Sequence, residues 1–182
     1  MVDLIQVIQG QEQVELVEEL AASMGSSAFK WAESTEARNA LWKARHQAYF
    51  AGLSLQPGAS VLTTDVCVPV SRLTEAVLFA EQEAVASGLT CPIVGHVGDG
   101  NFHMLLLIDP DDSEELGRAK DVAHRLNRLA LSFGGTVTGE HGIGMGKLGY
   151  MRAEHGEAWD LMGEIKAALD PNNIMNPGKS VT

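Results

Sequence analysis

Apolar positions along this chain switch between two spacings, and the switching predicts strands interleaved with helices. Val2 to Ile8 is dense enough in apolar residues for a strand. Val14, Val17, Leu20, Ala21 and Met24 then recur three or four residues apart, as one helix face does, and Gly25 sits where a C-cap belongs. Ala28 to Trp31 is a short strand candidate. Ser34 and Thr35 offer N-caps for a helix to about Phe50, with Leu41, Ala44 and Ala48 on one side. Val61 to Val68 is β-branched and reads as a strand closed by Pro69. Ser71 caps the next helix, which turns Leu73, Val77, Ala80 and Ala84 inward and ends at Gly88.

Two strands follow, Pro92 to Val97 and Phe102 to Ile108, around Gly98-Asp99-Gly100-Asn101, and Asp-Gly between apolar runs marks a hairpin. The longest helix runs from Ser113 to Ser132 and stops at Gly134-Gly135. Glycines then crowd Gly139 to Gly149, as in a loop held close to something. A last helix near Glu157 to Leu169 is stopped by Asp170-Pro171, and a tail from Asn172 to Lys179 follows. The hairpin makes at least part of the sheet antiparallel. Residues 1–182 therefore read as one α+β domain, a mainly antiparallel sheet with helices packed on it.

Composition narrows the function only a little. A formal charge of −11 argues against nucleic acid, whose phosphates need a basic footprint. The longest apolar runs, such as Met104 to Ile108, are strand-sized, so no transmembrane segment is expected, and no export leader is visible. Cys67 and Cys91 form no Cys-x-x-Cys pair and read as small buried hydrophobes in a reducing compartment, the cytoplasm.

Chemistry gathers in two places. If Asp99 and Gly100 are the two turn residues of a tight hairpin, residue 98 pairs with 101, 97 with 102 and 96 with 103. His96 and His103 then face each other on one side of the ladder, about 4.5–5.5 Å apart at Cβ, close enough to share a metal ion. A longer loop changes that register. The plainer alternative is two unrelated strand histidines bonded to backbone or solvent.

The second place is Thr138-Gly139-Glu140-His141-Gly142-Ile143-Gly144-Met145-Gly146-Lys147. A phosphate loop is excluded, because His141 stands where that motif needs Gly and Leu148 where it needs Ser or Thr. Gly139 and Gly142 relax the backbone so that Glu140 and His141 can approach one centre. A carboxylate beside two imidazoles completes the His-His-Glu set of a catalytic zinc, and His141 is left as a base beside it. The alternative is a glycine-rich surface loop. Lys147 is placed equally well at the site or at the surface. His46, His124 and His155 read as solvated, and Trp31, Trp42 and Trp159 as core or interface packing.

These two segments, with Leu41-Trp42-Lys43-Ala44-Arg45-His46, Thr64-Asp65-Val66-Cys67-Val68-Pro69-Val70-Ser71-Arg72-Leu73 and Met175-Asn176-Pro177-Gly178-Lys179, resemble the C-terminal domain of FAD-linked oxidases. That family groups D-lactate dehydrogenase, the glycolate oxidase flavoprotein subunit and D-2-hydroxyglutarate dehydrogenase. The Asp-Val-Cys-Val-Pro segment is most similar to the D-lactate dehydrogenase (cytochrome) branch. The resemblance implies the substrate (cap) domain of a two-domain flavoprotein. It implies FAD held mainly by a domain absent from this chain, and a divalent metal, usually zinc, on His96, His103 and Glu140. His141 is implied as base, Arg45 as the residue that binds the substrate carboxylate and Asn176 as a cofactor contact.

Where D-2-hydroxyglutarate dehydrogenases carry Asn and Lys for a distal carboxylate, this chain has Leu105 and Thr63, which favours a small 2-hydroxy acid. The FAD-binding domain of the same polypeptide is the expected partner, with an electron acceptor beyond it, peripheral to a membrane. Met1 is read as a fragment boundary, the alternative being a partner chain that supplies the flavin site. The uncovered docking surface favours a homodimer. A stand-alone metal hydrolase and a non-catalytic, metal-stabilised module are the competing functions.

Overall fold

The computed structural model describes residues 11–26, 29–32, 34–179 and 181, so the expected Val2 to Ile8 strand and Ala28 lie outside the described residues. The chain forms two compact units, Met1–Ala51 and Gly52–Thr182.

In the first unit, α1 spans Gln11–Ser23 and α2 spans Thr35–His46. Ser34 caps α2 as expected, its hydroxyl accepting from the Ala37 amide at 3.1 Å. The helix expected to reach Phe50 instead ends at His46, and α3 (Ala48–Leu53) begins after Gln47. Phe29 to Trp31 is not in a strand. Trp31 and Trp42 are exposed rather than core.

In the second unit the sheet is built around β4 (Asn101–Ile108), which is buried along its whole length. β1 (Ser60–Thr63) and β2 (Val66–Cys67) pair antiparallel with β4 in a single continuous register, from Ser60 opposite Ile108 to Cys67 opposite Asn101. β3 (Ile93–His96) pairs with β4 over Met104 to Asn101, also antiparallel. β4 is covered on both faces as well as bonded along both edges, which is why Met104 to Ile108 is an unbroken apolar run rather than an alternating one.

Phe102, Met104, Leu106 and Ile108 point to the helix-covered face. They share one core cluster with Ala76 and Ala80 of α4 (Leu73–Ser87) and with Ala119, Val122, Leu126 and Ala130 of α5 (Ser113–Ser132). α4 ends at Gly88, left-handed at φ 69°, as its spacing implied. Ser71 does not cap it: Val70–Arg72 winds into a 3-10 turn, closed by Arg72 N–H to the Pro69 carbonyl at 2.7 Å, and the helix starts without a side-chain cap. α5 has the expected bounds. Asp112 caps it by accepting from the Glu114 and Glu115 amides at 2.8 and 3.1 Å.

After α5, the glycine-rich segment gives way to α6 (Leu148–His155), a helix the sequence pattern did not show, and then α7 (Ala158–Leu169). Among the described residues no helix is long and apolar enough to cross a membrane. The architecture is α+β, with a small antiparallel sheet and helices packed on it.

The hairpin differs from the expected register. Its loop is Val97 to Gly100, four residues long, so His103 lies opposite Val94 and His96 opposite Asn101. The two histidines are diagonal rather than directly opposed. The shift is two residues, an even number, so both stay on the same side of the sheet.

Candidate metal centre

The site begins with an irregularity in the first ribbon. Between β1 and β2, the Thr64 amide donates to the Met104 carbonyl at 3.1 Å, but its own carbonyl turns out of the ladder to accept from His103 Nδ1 at 3.0 Å. The Thr64 hydroxyl takes over the vacated place, accepting from the Met104 amide at 2.9 Å. A carbonyl can only accept, so Nδ1 carries a hydrogen, and in the neutral form of the ring the lone pair is at Nε2.

That lone pair faces Glu140. Nε2 of His103 lies 2.8 Å from Glu140 Oε1, and the Nε2 atoms of His96 and His141 lie 3.5 and 3.6 Å from the same oxygen. The His103 and His141 rings stack in parallel with centroids 4.7 Å apart, while His96 meets His103 edge-on at 6.3 Å. Three imidazole nitrogens and one carboxylate oxygen thus converge. An imidazole lone pair and a carboxylate oxygen at hydrogen-bond distance repel unless a proton or a cation lies between them. His103 is 6% exposed at its side chain, whereas His96, Glu140 and His141 are 40%, 47% and 49% exposed. One buried anchor with three solvent-facing donors leaves an open side to the cluster.

The loop is brought there by the sheet. Thr136 bridges to Cys67, its amide donating to the Cys67 carbonyl at 2.8 Å. Val137 is fully buried and its amide donates to Glu154 of α6 at 3.2 Å. Gly139 N–H then donates to the Asp65 carbonyl at 2.9 Å. A Cβ on Gly139 would stand 2.0 Å from Asn101 Nδ2, so the close approach anticipated for this glycine-rich stretch is real at that position.

Asp65, 1% exposed, is the hub beneath the cluster. Its carboxylate accepts from the His141 amide at 2.8 Å, the Glu140 amide at 3.1 Å, Asn101 Nδ2 at 3.1 Å and Thr138 Oγ1 at 3.3 Å, and it pairs with Lys147 Nζ at 3.2 Å. Burial alone would raise this carboxyl. The His141 amide, the Asn101 side chain, the Glu140 amide and the Lys147 ammonium outweigh burial and hold it at about 2.

Asp65, His103, Glu140 and His141 each offer a ligand atom within 4.8 Å of the others. Asp65 is nevertheless a poor ligand, because its oxygens are occupied by these donors and the His103 nitrogen on its side, Nδ1 at 3.6 Å, is bonded to Thr64. That leaves Glu140 Oε1 and the imidazole nitrogens of His103, His96 and His141 as the donors that could hold a divalent ion. Soft-to-borderline imidazoles with one carboxylate suit zinc and its neighbours.

Of the other residues expected at a site, Arg45 sits in the last turn of α2, in the first unit, partly buried. Asn176 is exposed on the tail at φ 49° and is not among the groups converging on Glu140. Lys147 belongs to Asp65 rather than to the surface, 17% exposed at its side chain. His124 bonds Tyr150 at 2.7 Å and His46 packs against Trp42. Cys67 and Cys91 are free and only half-buried. Burial raises both thiols, Cys91 to about 11.

Asp65 and Asn101 were not singled out from the sequence as site residues. The signal for Asp65 was available: a lone carboxylate inside the β-branched run Val61 to Val68 must find partners if that run is buried. Asn101 gave no comparable signal.

The chain is similar to known proteins along nearly its whole length. Residues 5–180 match the family model described as FAD linked oxidases, C-terminal domain. The chain is 49% identical over 170 residues to the "Probable D-lactate dehydrogenase, mitochondrial" of Danio rerio, covering 93% of this chain and 34% of that protein. It is 44% identical over 172 residues to the "D-lactate dehydrogenase [cytochrome], mitochondrial" of Arabidopsis thaliana, covering 94% of this chain and 30% of that protein. With "Glycolate oxidase subunit GlcD" of Bacillus subtilis it shares 32% identity over 170 residues, 93% of this chain and 36% of that protein. The chain therefore spans about a third of the length of the curated relatives it matches. With a match across nearly its whole length, the chain belongs to the family of FAD linked oxidases, C-terminal domain.

Proposed function

We propose that residues 1–182 are the substrate- and metal-binding domain of a flavin-dependent D-2-hydroxy acid dehydrogenase that oxidises D-lactate to pyruvate. The observation that carries this reading is the convergence of three imidazole nitrogens on Glu140 Oε1. In the complete enzyme a divalent ion, zinc by donor chemistry, would add positive charge beside the substrate hydroxyl, and FAD, held mainly by a domain outside this chain, would accept the hydride from C2.

The chain's own residues do the rest. His96, His103 and Glu140 hold the ion, with His103 fixed in the required tautomer by Thr64. His141, half exposed beside them, accepts the hydroxyl proton at Nε2. Arg45 clamps the substrate carboxylate in a two-pronged bond, and Asn176 contacts the flavin.

A small substrate is supported by two positions that prove to be register partners. Thr63 lies opposite Leu105, two residues from His103, and neither brings a positive charge for a second carboxylate. Glycolate, named in one group of relatives, is the alternative substrate of the same chemistry. The two free cysteines accord with a reducing compartment such as the cytoplasm.

Metal content by mass spectrometry tests the centre. About one divalent ion per chain is expected, lost in His103→Ala. No ion in the wild-type chain, even after addition of zinc or manganese, would remove the metal from the reading.

A further inference from the structure

Asp65 gathers more donors than any ligand in the cluster it supports, and its oxygens are occupied by protein N–H and O–H groups. Two of its donors are consecutive backbone amides, Glu140 and His141, at 3.1 and 2.8 Å. A third bond, from the Gly139 amide to the Asp65 backbone carbonyl at 2.9 Å, ties the preceding residue to the same anchor. Three successive amides of the ligand loop are thus fixed by one residue. Both the direction in which Glu140 leaves the chain and the stacking of His141 on His103 follow from that peptide's orientation.

Asn101 supplies an independent sign of where the network is aimed. Its Nδ2 donates to Asp65 Oδ1 at 3.1 Å and to the Val66 carbonyl at 3.0 Å, while its own Oδ1 is buried without a partner. Both groups at Nδ2 are acceptors, so turning the amide round would set oxygen against oxygen. A stranded buried carbonyl is costly, and keeping a donor on the Asp65 carboxylate is what offsets it.

We infer that Asp65 is the positioning residue of the metal centre, setting ion affinity through the Glu140–His141 peptide without itself being a ligand. This rests on the metal reading above. Outer groups that orient a ligand set typically change ion affinity 10–100-fold when removed, and that range is the expected effect here.

The test uses Co²⁺ as the probe, read by its visible absorption and by chelator competition, together with amide hydrogen exchange across residues 138–142. Asp65→Asn keeps the shape but loses the charge and turns a donor toward Lys147 or Asn101. It should unfold cooperatively, bind Co²⁺ roughly 10–100-fold more weakly with an altered spectrum, and exchange its 139–141 amides faster. Lys147→Met removes the ammonium but leaves all three amide bonds, and should stay within about threefold of wild type, well short of that 10–100-fold range.

If Asp65→Asn does not fold, Gly139→Ala, which displaces the same peptide and leaves the carboxylate intact, carries the same expectation. Wild-type affinity, spectrum and exchange in the variant overturn the inference. A wild-type chain that takes no Co²⁺, with 139–141 exchange still accelerated in Asp65→Asn, overturns the metal reading and leaves the anchoring by Asp65 standing.

Discussion

Replacing Gly139 with alanine tests the packing beneath the site at one atom. The new Cβ would lie 2.0 Å from Asn101 Nδ2, 2.9 Å from its Cγ and 3.2 Å from Asp65 Oδ1. A side-chain tip usually moves aside cheaply, but Asn101 is 5% exposed and pinned by two hydrogen bonds, one of them to a carboxylate. Swinging it away forfeits both, about 2–4 kcal/mol together. Moving the loop instead breaks the Gly139 amide bond and strains those of Glu140 and His141 to Asp65, a loss of similar size. Alanine returns about 0.5–1 kcal/mol by stiffening the unfolded chain.

Net destabilisation of about 1–3.5 kcal/mol should therefore appear in urea unfolding as a lower midpoint at unchanged slope. Gly149→Ala serves as the opposite control. That residue lies in α6 with nothing within 4 Å of its would-be Cβ, so alanine should stabilise by up to about 0.5–1 kcal/mol. A Gly139→Ala chain within about 0.5 kcal/mol of wild type, the scatter of an ordinary surface substitution, would refute the close approach.

Three further outcomes follow from the same structure. The Asp65 carboxyl, at about 2 against an ordinary 3.8, binds its proton less readily when folded, so its stabilisation is complete above about pH 4 and is lost as pH falls through 2. Asp65→Asn should lack this share, about 2 kcal/mol, of the acid-side loss seen by urea unfolding between pH 5 and 2; a parallel loss in both chains would contradict it. Asp112→Ala should cost about 1 kcal/mol by leaving the Glu114 and Glu115 amides uncapped, and an unchanged unfolding midpoint would show the cap to be idle. In a full-length enzyme, His141→Ala should abolish D-lactate turnover with metal retained, while Arg45→Ala should mainly raise KM; near-wild-type kinetics in either variant would take that residue out of its role.

Features settled by neighbours in sequence were legible from sequence, and features settled across the fold were not. α5 was readable to its ends because helical spacing and two closing glycines act locally. The hairpin loop was misjudged by two residues because its geometry is set from outside: Gly100, at φ 76°, gives its carbonyl to the Val68 amide at 2.9 Å, and the Asp99 carbonyl takes the Cys67 thiol at 3.2 Å. The histidines still met because strand parity survives an even slip. The single strand expected from Val61 to Val68 is interrupted at Thr64-Asp65, where the side chains serve His103 and the ligand loop; nothing in a β-branched run announces that. α6 was hidden by glycines at 146 and 149 that resemble loop texture.

The bond from His141 to Asp65 joins residues 76 positions apart, and His103 sits on a strand bonded along both edges. Sliding β4 by a single residue would turn His103 onto the helix-covered face and send Met104 toward the loop, since side chains alternate along a strand. Slipped sheets would thus keep most of their backbone hydrogen bonds while losing the whole donor cluster. Under the proposed metal reading, ion uptake would therefore act as a form of proofreading, rewarding only chains whose strands have paired in the correct frame.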